Sequence, residues 1–305
     1  MSSSNSSKIS LYGGIVTNVA IALSKFVAAY VTGSSAMLSE GIHSLVDTGN
    51  GGLLLYGTAQ SQLPPDAKHP FGRSKELYFW SLIVAMLVFS VGGGMSFYEG
   101  IKHILHPQSM EDAKWNYIVL GFSIIFESIA AYLSIKAFLE SHTDGFFHAL
   151  RTSKDPSAFA QVLENTAALI GLLFAGLGVF FGHFLNNPYL DGVASVAIGL
   201  LLMGVAVFLV YRTKGLLVGQ GVDDETLASF EAIARAQPHV EDIRSPLTMY
   251  LGPADVVLAL DVDFADDLPA AEVAAAIERL QDAIRVVHPE VQRIFVEAKN
   301  LKART

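Results

Sequence analysis

Cysteine is absent from the 305 residues, and only 16% of them are charged. The first absence excludes disulfides, thiolate metal centres and cysteine nucleophiles. The second excludes an ordinary soluble chain, in which about a quarter of the residues carry charge. Basic residues are the scarcer sign, 20 Lys and Arg against 29 Asp and Glu, and nucleic acid requires a basic surface. Walker loops, dinucleotide fingerprints and Ser-His-Asp arrangements are missing too, which argues against an enzyme and against a resident cofactor. What fills the chain is apolar: 51% of residues are hydrophobic and the mean hydropathy is +0.43.

The few charges are unevenly placed. Residues 1–213 hold 11 Lys and Arg with 13 Asp and Glu, whereas residues 214–305 hold 9 and 16, a net charge of −7 in less than half the length. The division predicts a transmembrane domain over 1–213 and a soluble acidic domain over 214–305. Crossing a bilayer takes roughly 20 apolar residues, and six stretches offer them: about 9–32, 35–60, 75–105, 114–141, 155–185 and 189–213. Met1 to Ser7 lacks the basic-then-apolar order of a cleaved signal, so the first stretch reads as a retained helix. Lys68, Arg73 and Lys75 follow the second span, and Arg151 and Lys154 precede the fifth. The positive-inside rule then places both termini in the cytoplasm. The expectation is a multi-pass integral protein of a bacterial inner (plasma) membrane.

In the acidic domain, Asp223–Gln237 reads as a helix opened by Asp223-Asp-Glu. Leu258, Leu260, Val262 and Phe264 alternate as one face of a strand. Pro269–Val287 is an amphipathic helix and Val291–Val296 a closing strand. This is a small α+β fold, an open-faced sheet under one layer of helices.

Function is sought among the polar residues inside the spans, because an ionisable group in hydrocarbon normally faces a bundle interior or a water-filled path. Glu40, His43 and Asp47 lie on one stripe of the second span. His43 and Asp47, four apart, either bind one divalent cation or form a hydrogen bond that ties two helices together. The fifth span offers Ser157, Gln161, Glu164 and Asn165 on one face; Glu164 is either bundle glue or a ligand. Asn18 and Glu127 are read as helix contacts that could line the same cavity, and Lys25, Lys136 and Glu99 as side chains snorkelling from span ends. Gly92-Gly-Gly within the third span points to close helix packing.

These residues resemble the cation diffusion facilitator family. The likeness rests on His43-Ser-Leu-Val-Asp47 in the second span, on Asp66-Ala-Lys-His69-Pro-Phe-Gly72 just after it, on the six spans and on the α+β tail. Ser74-Lys-Glu-Leu-Tyr-Phe-Trp80, Gly121-Phe-Ser-Ile-Ile-Phe-Glu127 and Asp155-Pro-Ser with Leu163-Glu164 look most like its zinc transporter 9 branch. The resemblance implies a homodimer that exchanges a divalent metal ion for protons, with a ferredoxin-like, metallochaperone-like tail. Family members usually carry a second HxxxD in span five; here Ser157 and Gln161 stand at those positions. Glu164 becomes the substitute, so His43, Asp47 and Glu164 are the expected metal and proton site, with Gln161 or Asn165 as a weaker fourth donor. A loop site at Asp66 and His69 is doubtful, because Arg73 occupies its third position. Nitrogen and carboxylate donors suit Zn2+ first and also accept Mn2+, Fe2+ or Co2+. A rival reading is a non-transporting membrane scaffold that acts through its tail; a second is a metal-gated channel.

Overall fold

Apolar segments in a bilayer must satisfy their own amides, and helices do so within one segment. The computed structural model describes residues 19–107, 113–140, 145–266 and 268–298. Helix α1 covers Val19–Thr32 and stops at Gly33, whose φ of 69° suits glycine and whose N–H donates to Ala29 O. Helix α2 is Ser35–Ser61. Helix α3, Glu76–Leu87, passes through a π-helical turn at Val88–Gly94 into α4, Met95–Leu105. Then come α5, Ala113–Glu140, and the short α6, Phe146–Thr152, in a segment expected as loop. Helix α7, Pro156–Phe184, has proline at its first position, and the Asp155 carboxylate accepts from the N–H groups of Ser157 and Ala158. Helix α8 is Tyr189–Val218.

Four of these helical runs, Glu76–Leu105, Lys114–Glu140, Pro156–Phe184 and Tyr189–Val218, are long and apolar enough to cross a membrane. The described part of the first expected span, Val19–Thr32, is shorter, and its upstream part lies outside the described residues. Helix α2 has 27 residues, but polar and small side chains dilute its apolar character. The structure is therefore a membrane helical bundle followed by a small sheet domain.

A glycine seam joins α4 and its π-helical lead-in to α8. A Cβ on Gly199 would fall 2.6 Å from Phe97 N and 2.9 Å from Gly93 O, and one on Gly100 would fall 2.6 Å from Val196 N and 2.8 Å from Gly192 O. Gly93 with Gly100, and Gly192 with Gly199, are each seven residues apart, so two successive crossings let backbone touch backbone.

The described residues divide into two compact units, 19–60 with 79–213 and 61–78 with 214–298. The second unit holds α9, Asp224–Arg235, and strands β1, Val240–Ile243, β2, Leu247–Gly252, and β3, Asp255–Phe264. Helix α10, Ala270–Val287, and strand β4, Val291–Ala298, close it. β1 and β2 both run antiparallel to β3, Ile243 facing Val262 and Leu247 facing Ala259. β4 runs parallel to β3, with Leu258 beside Ile294. Since Leu258 pairs with Thr248 and with Ile294, β1 and β2 share one edge of β3 and β4 takes the other. The alternation read from the sequence buries Leu258, Leu260, Val262 and Phe264 against Phe230 of α9 and Leu280 and Ile284 of α10. Residues 61–78 belong to this unit through Ser74 Oγ, which donates to Asp255 Oδ2 at 2.9 Å, and through Arg293, which reaches both Asp255 Oδ1 and Phe71 O.

The seam has a direct test. Gly199→Val should destabilise the detergent-solubilised protein by about 1–3 kcal/mol, read as a lower thermal unfolding midpoint. Gly204→Val, at a position where a Cβ meets nothing within 4 Å, should leave the midpoint unchanged.

Candidate metal centre

Residues four apart on a helix share a face, and on α2 that face is polar: Ser35, Ser39, His43 and Asp47 recur at that interval, flanked by Glu40, Ser44 and Asn50. All are buried except Asp47, whose side chain keeps 18% exposure. The stripe starts beside a cavity of about 380 Å3 lined by Ser34, Ser35, Glu99, Lys102, His103 and His106 among others. It is anchored there by a residue that the sequence reading passed over. Asp191 of α8, fully buried, accepts from Ser34 Oγ at 2.6 Å, Ser35 N at 2.5 Å, Ser35 Oγ at 2.9 Å and Ala36 N at 3.3 Å. A carboxylate from another helix thus caps α2 and complements its dipole. Ser39 and Ser195 extend the contact between the same helices.

Deeper in the bundle the partners run out. His43 Nδ1 lies 3.4 Å from Asp47 Oδ1. Both ring nitrogens of His43, Asp47 Oδ1 and Asn50 Oδ1 are buried without a hydrogen-bond partner. Glu164 of α7 is 7% exposed, and Asn50 Nδ2 donates to its Oε1 at 3.1 Å. A buried polar atom left unsatisfied costs about 1–3 kcal/mol, and a bound cation would satisfy several of these at once. Imidazole, carboxylate and amide oxygens are ordinary donors for a borderline divalent ion. Among the described residues no three His, Asp or Glu side chains already converge on one point, so a bound ion would have to draw them together.

The expected fourth donors stand elsewhere. Gln161 is exposed, and Asn165 donates to Ala130 O at 3.4 Å, tying α7 to α5. The amide that reaches the group is Asn50, seven residues after His43 on the same stripe, a spacing legible in the sequence. Lys25 corrects its reading as a snorkelling side chain: it is wholly buried, 3.1 Å from Glu40 Oε2, 2.8 Å from Ser44 Oγ and 3.8 Å from Glu127 Oε1. Seven residues from the end of α1, it lies about 10 Å along the axis from that end, beyond the reach of its stem. Lys136 and Glu99 do stay near the surface, paired with Glu140 and Lys102. Asn18 lies outside the described residues.

In the segment after α2, both Asp66 oxygens are engaged. Oδ1 accepts from the N–H groups of Lys68 and His69 and lies 3.0 Å from His69 Nδ1, and Oδ2 accepts from Arg73 Nη2 at 2.7 Å. In the tail, His288 is held by Ser229 Oγ at 2.7 Å and Glu290 Oε1 at 3.3 Å, with its ring against Phe230.

Residues 11–218 match the cation efflux transmembrane domain. Over 243 residues, 79% of its length, the chain is 35% identical to the proton-coupled zinc antiporter SLC30A9, mitochondrial, of Mus musculus, the match covering 43% of that protein. It is 28% identical to metal tolerance protein C4 of Arabidopsis thaliana over 243 residues, 79% of this chain and 53% of that one. The magnetosome protein MamM of Paramagnetospirillum magneticum is 26% identical over 282 residues, 88% of this chain and 83% of that one. The chain thus spans less than half the length of the mouse relative.

The Arg73 guanidinium, followed by the His69 backbone N–H, holds the Asp66 carboxyl well below the usual carboxylate range. A carboxyl lowered in the folded state stabilises fully above its ordinary value near pH 4 and loses that contribution only as pH falls through the lowered one. The Asp66 carboxyl 13C shift should therefore stay flat from about pH 8 to pH 4 by NMR; a midpoint at the ordinary value would mean that the Arg73 pair is absent in solution.

Proposed function

The chain belongs to the cation efflux family of membrane transporters and is not an enzyme, and from that premise we propose that it exports a divalent metal ion, Zn2+ first, from the cytoplasm in exchange for protons. The observation that carries this reading is the group of buried, unpartnered donors on His43, Asp47 and Asn50 beside Glu164. A scaffold gains nothing from such a group, whereas a carrier needs donors that hold either metal or protons. Ligands must be deprotonated to coordinate, so an arriving ion releases protons from His43, Asp47 and Glu164, and returning protons help to eject it. Asp47 and Glu164 together offset the charge of a divalent ion, and the imidazole of His43 supplies its nitrogen donor. Asn50 serves as the neutral fourth donor. Nitrogen and oxygen donors take Mn2+, Fe2+ or Co2+ after zinc.

Alternating access exposes this centre first to the cytoplasm and then, through the cavity beside Ser34, to the other side. Six spans, cytoplasmic termini and a homodimer joined by ferredoxin-like tails complete the proposal; the order helix, strands, helix, strand in the tail supports the last element. A transport domain and a dimerisation domain divided at 213/214 remain part of the proposal, with residues 61–78 grouping with the second unit. The bacterial plasma membrane is not: the names of relatives include both a mitochondrial antiporter and a magnetosome protein, so membership does not choose the membrane.

The test is Zn2+ uptake into inverted vesicles under a pH gradient. Asp47→Ala and Glu164→Ala should each lower uptake at least tenfold, and Gln161→Ala should stay within about twofold. Normal, proton-dependent uptake by both carboxylate variants would sink the assignment. A scaffold would show no proton-linked metal binding by calorimetry, and a channel would conduct without a proton gradient.

A further inference from the structure

Among the described residues Lys25 is the only fully buried lysine, and its surroundings have the make-up of a cation site. Three oxygens from two helices face the ammonium of a third: Glu40 Oε2 at 3.1 Å and Ser44 Oγ at 2.8 Å from α2, and Glu127 Oε1 at 3.8 Å from α5. Glu40 is wholly buried, and its other oxygen, Oε1, has no partner. That oxygen lies against Gly171 of α7, where a Cβ would collide with it. The pocket is thus shaped around a carboxylate that one ammonium does not exhaust. Ser44 directly follows His43, so this oxygen cluster adjoins the candidate metal centre on the same helix.

We propose that Glu40, Ser44 and Glu127 form a second cation site, permanently filled by the tethered ammonium of Lys25. Only the identity of the neighbouring ion rests on the transport reading. Four carboxylates, Glu40, Asp47, Glu127 and Glu164, share this part of the bundle, enough charge for two divalent ions. Hard oxygen donors without a nitrogen would themselves hold such an ion. A cation that cannot leave occupies them instead, which confines the mobile ion to His43, Asp47 and Glu164 and keeps Glu40 and Glu127 from capturing it. A plain helix-tying ion pair predicts lost stability when Lys25 is removed, but no new ion.

The experiment uses the detergent-purified full chain, with bound Co2+ counted by elemental analysis after gel filtration. Lys25→Ala should hold one more Co2+ per chain than the unmodified protein, and Lys25→Ala/Glu127→Gln should lose that extra ion. Removing the lysine leaves buried carboxylates uncompensated, so Lys25→Ala should be destabilised without metal and should regain its unfolding midpoint in millimolar Co2+. In vesicles, Lys25→Ala should lower both KM and kcat for Zn2+, kcat by about tenfold, while Lys25→Arg stays near the unmodified protein. The Asp47→Ala/Glu164→Ala background separates the two readings: adding Lys25→Ala there should still bring in one Co2+, whether or not those carboxylates carry transport. The inference is overturned if Lys25→Ala gains no ion over the unmodified protein, or if millimolar Co2+ does not restore its fold.

Discussion

A charge taken out of water at membrane depth has to be neutralised by another charge or by hydrogen bonds, because hydrocarbon offers neither. That constraint orders the interior of this bundle. Lys25 is surrounded by Glu40, Ser44 and Glu127, and Asp191 spends both oxygens on the first turn of α2. Where the same rule is left unmet, at Glu40 Oε1, His43, Asp47 and Asn50, the protein carries donors whose natural complement is a positive ion. The contrast between satisfied and unsatisfied polar groups on one helix distinguishes structure from site more sharply than residue type does.

Precise placement of the α2 stripe needs a rigid frame. Asp191 fixes the start of the helix. The Gly93–Gly199 and Gly100–Gly192 crossings bring α4 and α8 to backbone contact, and Asn165 ties α7 to α5. Gly171 leaves room for Glu40 in the same way that glycine leaves room for backbone in the seam. Small residues here decide which polar atoms can meet.

Much of this was legible from residue order. Apolar length marks six stretches, four of which form helices long and apolar enough to cross a membrane among the described residues; period-two burial marks β3, and the triple glycine marks a packing seam. His43 and Asp47 stand together because four residues make about one helical turn, a local rule. What escaped the sequence depends on pairing between distant segments. The depth of Lys25 is set by Glu40 and Glu127 on other helices, and Asp191 acts through the hydroxyls and amides of Ser34 and Ser35, more than 150 residues away. Gln161 and Asn165 share a face with Glu164 on paper, yet one is exposed and the other is spent on Ala130 O. One helical face is wide enough to reach solvent, a neighbouring helix and a cavity at once, so spacing alone cannot choose among them.

Residues 61–78 group with the sheet domain, although the chain reaches them directly from α2 and leaves them into α3. The domain is therefore stitched to the bundle by three backbone crossings rather than hung from α8 alone. One of those threads is the helix that carries His43, Asp47 and Asn50. The helix that carries the candidate centre is thus continuous in backbone, at Ser61, with a segment that groups with the sheet domain.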